Sequence, residues 1–96
     1  MTQENQREDL ERDQQHENGR NQAILDFYWK VKKNPYRRLS LVFEEIIEKY
    51  HWMCELNDTS AISTSYIQGF FGELHYMKWM AKENKLKVNQ DVLDKI

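Results

Sequence analysis

Glu44, Glu48, His51 and Glu55 stand four, three and four residues apart, a spacing that gathers them on one face of a helix. Carboxylates and an imidazole on one face can collect a divalent metal. Glu48 and His51 also have the Glu-x-x-His spacing by which carboxylate-bridged di-metal bundles assemble ligands. Such a bundle needs the motif twice, and the residue three before His75 is Gly72. At about 100° per residue the acidic face lies opposite Leu39, Ile46, Tyr50 and Met53, so it is expected to face water unless another chain covers it. Cys54, three residues after His51, would need an accessible, electropositive setting to act as a nucleophile. It falls instead at the margin of an apolar stripe and beside Glu55, the setting of an inert thiol.

Glu45-Ile46-Ile47-Glu48 is similar to the paired-Glu helices of all-α nucleotide pyrophosphohydrolases, in which a second acidic motif on another helix completes a magnesium site. Here the nearest match, Glu55-Leu56-Asn57-Asp58, follows on the same helix and cannot close a site from across a bundle. Gly69 and Gly72 lie within a helical pattern and no lysine follows in the phosphate-loop arrangement. A helix-turn-helix alignment over residues 44–74 puts Asn57 at the turn glycine and Ser63 at an apolar position of the recognition helix, and it fails. The reading is therefore a non-enzymatic chain, with no catalytic, cofactor or metal residues expected.

Two groups of residues suggest binding instead. Lys30, Lys32, Lys33, Arg37 and Arg38 are interleaved with Trp29 and Tyr36 around Asn34-Pro35, a mixture that can grip phosphates while an aromatic ring stacks on a base. The same cations also suit the negative C-terminal end of a helix. On the third helix Ser65, Gly69, Gly72, Tyr76 and Trp79 alternate at spacings of four and three opposite the core stripe, the seam pattern of helices in close contact. Each glycine inside a helix costs about 1 kcal/mol relative to alanine, which close approach of another helix would offset. A second chain could supply that cover, or the chain's own arm or last helix. Gly69, Gly72, Tyr76 and Trp79 are the expected partner-binding residues, with the protein partner either self, as a homodimer, or another protein. The alternative function is a nucleic-acid-binding regulator using Lys30 to Arg38.

The elements that must carry these residues follow from periodicity. Residues 1–21 hold almost no large apolar side chain besides Leu10, so they are expected as a polar N-terminal arm, disordered or a solvent helix, adding little to core stability. If the arm packs at all, the Gly69 and Gly72 face is where it would lie. Asn18-Gly19 is a turn signal, and Asn21 can cap a helix with Ile24, Phe27, Tyr28 and Val31 on one face. That helix should stop near Lys33. Asn34-Pro35 should cap and start a second helix reaching about Leu56, its stripe formed by Leu39, Val42, Phe43, Ile46, Tyr50 and Met53. Ser65 and Gln68 have capping-box spacing for a third helix from Tyr66, with Ser60 an earlier alternative start. Ile67, Phe70, Phe71, Leu74, Met77 and Ala81 form its stripe and Asn84 its end. Asn89 caps a final short helix. The whole is an all-α domain over 22–96, a small bundle of three main helices plus a short C-terminal one.

Composition agrees with that class. Of 96 residues, 40% are hydrophobic, enough for one small core. Apolar runs never exceed three residues, as in Phe27-Tyr28-Trp29, whereas a membrane span needs about 20. The single cysteine and a polar start without a signal-peptide core point to a reducing, cytoplasmic setting. The net charge is −2. Residues 1–22 hold six acids and three arginines (−3) and the rest ten acids and eleven bases (+1), which gives no mandate for an acidic partner.

Overall fold

A computed structural model describes residues 3–59 and 61–96, with side chains from Leu10 onward. Met1 and Thr2 of the arm, and Ser60 as a helix start, lie outside the described residues. Among the described residues four helices appear in order: α1 (Gln3–Lys33), α2 (Leu39–Asp58), α3 (Thr64–Lys82) and α4 (Gln90–Lys95). The chain is all-α, with three long helices and a short C-terminal one, as its periodicity predicts.

The arm and the first core helix are one element. α1 runs without a break through Asn18, Gly19 and Asn21, where the sequence predicts a turn and a cap. Polar side chains spaced along the helix support it: Gln14 donates to Asn18 at 3.0 Å, Arg20 reaches Glu17 at 3.4 Å, and Gln22 donates to Asp26 at 2.9 Å. Tertiary packing decides the matter at Gly19, which is buried against α3. A Cβ built on Gly19 would lie 1.9 Å from the carbonyl oxygen of Tyr66, and one built on Gly69 would lie 2.0 Å from that of His16. Each glycine thus admits the backbone of the other helix, its α-hydrogen directed at a carbonyl oxygen, a weak but recurrent helix–helix contact. No side chain could fit between. Asn18-Gly19 is therefore a crossing point, not a turn.

The core lies where the three long helices meet: Ala23 and Phe27 from α1, Val42, Phe43, Ile46 and Met53 from α2, and Ile67, Phe70, Leu74 and Met77 from α3. Phe27 stacks on Phe43 at 5.5 Å between ring centres. Two members of the predicted stripes, Leu39 and Phe71, are each 39% exposed. Leu39 is the first residue of α2 and has no preceding turn to cover it. Phe71 sits on the outer shoulder of α3.

The helix ends explain the remaining shifts of boundary. The N–H of Arg37 donates to the carbonyl of Asn34 at 3.2 Å, so Pro35 occupies the second position of a β-turn rather than the first turn of α2. α2 begins four residues later, after Arg38, which offers no side-chain cap. α3 is capped by Ser63, whose hydroxyl accepts from the N–H of Tyr66 at 3.2 Å, so the helix starts two residues before the predicted position. At its other end Asn84 takes a left-handed conformation, φ 57°. The N–H of Lys85 then reaches the Met80 carbonyl at 2.8 Å and that of Asn84 the Ala81 carbonyl at 3.1 Å, a Schellman ending. Asn89 caps α4 by accepting from the N–H of Asp91 at 2.9 Å, as predicted. The N–H of Asn89 donates to the Tyr28 hydroxyl at 3.0 Å, tying the last helix to α1. Among the described residues no helix is long and apolar enough to cross a membrane.

Candidate functional site

Glu44, Glu48, His51 and Glu55 all lie on the exposed side of α2. Among the described residues no group of three or more His, Cys, Asp or Glu side chains converges as a metal site would require. Cys54 is half-buried. It holds the Tyr50 hydroxyl above its usual pKa through a hydrogen bond, with burial adding to the shift.

The basic cluster is largely committed to holding the chain together. Lys30 pairs with Glu45 at 2.9 Å, and Arg37 reaches the other oxygen of the same carboxylate. Glu45 thereby closes the α1–α2 connection, and its pKa is lowered, first by the hydrogen bond from Lys30 and further by the charges of Lys30 and Arg37. Lys32 donates to a main-chain oxygen of Ile96, and the Lys33 ammonium lies 5.9 Å from the centre of the Trp29 ring. Arg38 is exposed and alone of the five has no such contact among the described residues. Four of the five cations thus make contacts inside the chain, and three of them, Lys30, Lys32 and Lys33, stand in the last turn of α1, where the helix dipole also favours them.

The predicted seam on α3 divides into two. Gly69 is buried under His16 of α1, so its cover comes from within the chain and it faces no solvent. Gly72 is open: a Cβ there would meet nothing within 4 Å. Tyr76 and Trp79 continue from Gly72 along the outer side of α3, 56% and 53% exposed, with ring centres 6.5 Å apart. Lys85 extends over the Trp79 ring at 5.6 Å. Arg20 of α1 and Glu73 of α3, paired at 3.4 Å, border this surface beside Gly72 and Tyr76.

On the opposite shoulder of α3 the same surface continues into a groove that periodicity hides, because it places Phe71 in the core stripe. Phe71 stacks on Tyr50 of α2 at 4.7 Å, and the edge of His75 packs on Phe71 at 4.1 Å. Ile47 and Leu74 complete the floor. The outer side of the α2–α3 hairpin therefore carries a glycine without cover, five aromatic or imidazole rings and an apolar furrow, all on regular helix. Rigid helices hold these groups in fixed register, which suits recognition of another surface. Comparison with protein-family models, with curated proteins and with solved structures finds no match for this chain, so the functional reading rests on these residues.

Proposed function

We propose that this chain is a small non-enzymatic interaction protein of a regulatory kind, which works as a homodimer by presenting helical surface to a protein partner. The observation that carries the reading is Gly72. A glycine in the middle of a helix costs about 1 kcal/mol relative to alanine, and here no neighbour within the chain makes use of the missing side chain. Tyr76 and Trp79 beside it are large rings left more than half exposed, the residue types that anchor protein interfaces. A folded part of this size also gains from burying further surface by association, because a single small core supplies only a few kcal/mol.

Size-exclusion chromatography with light scattering tests the reading. The wild-type chain should elute as a dimer, and Gly72→Glu as a helical monomer. Trp79→Ala should weaken association by about 2 kcal/mol or more, the loss expected at a hot spot. A wild-type monomer at high concentration would reject the homodimer.

A further inference from the structure

α2 and α3 run antiparallel, and their register is fixed at both ends. Asn57 donates to the Ile62 carbonyl at 2.7 Å, Tyr50 stacks on Phe71, and Glu44 borders the same groove as Lys78 and Lys82. The two walls of this groove differ in sign: α2 contributes Glu44, with Glu48 exposed one turn further along α2, and α3 contributes Lys78 and Lys82. Elsewhere, charges that face one another between helices are paired, as in Asp26–Lys49 at 2.7 Å, Lys30–Glu45 and Arg20–Glu73. Glu44, Glu48, Lys78 and Lys82 make no ion pair or hydrogen bond among the described residues, although Glu44, Lys78 and Lys82 line one apolar furrow.

A surface with one acidic and one basic wall is complementary to itself. A copy turned through 180° about an axis parallel to the helices sets its α2 over this α3 and its α3 over this α2. Rotation about that axis changes no level along it, so Glu44 of each copy arrives at the level of Lys78 of the other. Phe71, Gly72 and Trp79 are covered in the same step. An axis perpendicular to the helices would instead stack α2 on α2 and bring Glu44 and Glu48 of both copies together, and like charges brought together across an interface oppose docking. We infer that the occupant of the groove is a second copy of this chain, docked about a twofold axis parallel to α2 and α3, with Glu44 paired to Lys78 at two symmetric places. The inference rests on the homodimer reading above and names its interface.

Charge reversal tests it. Glu44→Lys alone and Lys78→Glu alone should each weaken the dimer at least tenfold in light scattering at low salt, because each brings like charges together twice. An equimolar mixture of the two variants should recover a dimer, since in the mixed species every reversed site meets its complement. The double variant Glu44→Lys/Lys78→Glu should also dimerise, which keeps the test decisive if one single variant folds poorly by circular dichroism. If both single variants dimerise as tightly as wild type, or the mixture stays monomeric, the twofold arrangement is wrong while the homodimer stands. A monomeric wild type overturns both.

Discussion

Three glycines stand in helices of this chain, and each meets different surroundings. Gly19 and Gly69 admit the backbone of a crossing helix, where a Cβ would fall 1.9 and 2.0 Å from a carbonyl oxygen, and Gly72 opens on empty space. Gly19→Ala and Gly69→Ala are therefore expected to destabilise by about 1–3 kcal/mol or more, since the atom met is main chain and cannot rotate aside. Gly72→Ala should stabilise the monomer by up to about 1 kcal/mol through helix propensity alone. Urea unfolding of the three variants checks the order, and a Gly69→Ala as stable as wild type would remove the crossing. In the core, Ile46→Ala should cost about 2–5 kcal/mol, whereas Glu48→Ala and His51→Ala, exposed within the chain, should leave the folding of the monomer within about 0.5 kcal/mol of wild type; damage to the monomer from the two polar changes would mean that the acidic face is buried inside the fold. Sequence periodicity places Ile46 in the core without ambiguity because side-chain burial repeats with the helix. It misplaces Gly19, because the contact there is made by backbone, which leaves no apolar signature, and because the partner is some 50 residues distant.

At the scale of elements, α1 draws its stability from two different sources along its length. Beyond Gln22 an apolar stripe carries it, and before Gln22 the crossing at His16 and Gly19 ties a polar helix to α3. Removing residues 1–18 should consequently lower the thermal midpoint by several degrees, since about 1 kcal/mol corresponds to 4–8 °C in a domain of this size; an unchanged midpoint would show that the polar half of α1 adds nothing. Composition alone argues for a polar arm here, and its side chains from Leu10 to Asn18 are exposed on the helix. The α1–α2 latch makes a second, pH-dependent prediction. The folded-state pKa of Glu45 is depressed below its ordinary value by Lys30 and Arg37. Its contribution is thus present above the unfolded carboxylate pKa and is lost as pH falls through the folded one. Glu45→Gln should melt lower than wild type at neutral pH, and the two should converge in acid; a constant difference across the titration would contradict the latch. The turn holding that latch was half legible. Asn34-Pro35 marks the break, but whether proline opens a helix or a β-turn depends on where Lys30 and Arg37 find their carboxylate, which no local pattern reveals.

The whole molecule measures 51 × 28 × 25 Å, its long axis in keeping with the 31-residue α1, and three helices close around one core. That closure uses one side of α3 and leaves the other to the outside. The candidate surface was partly legible: Gly72, Tyr76 and Trp79 lie together as their spacing predicts, Gly69 is taken by α1, and the groove beside Phe71 becomes visible only once α2 and α3 are placed side by side. The remaining face is the proposed docking surface of a second chain. Because a dimer dissociates on unfolding, its stability depends on protein concentration by mass action. Thermal unfolding of the wild-type chain over a hundredfold range of concentration is therefore the most direct measurement. The midpoint should rise with concentration for wild type and stay constant for Gly72→Glu. A wild-type midpoint independent of concentration would contradict the homodimer and leave the outer face of the α2–α3 hairpin as monomer surface.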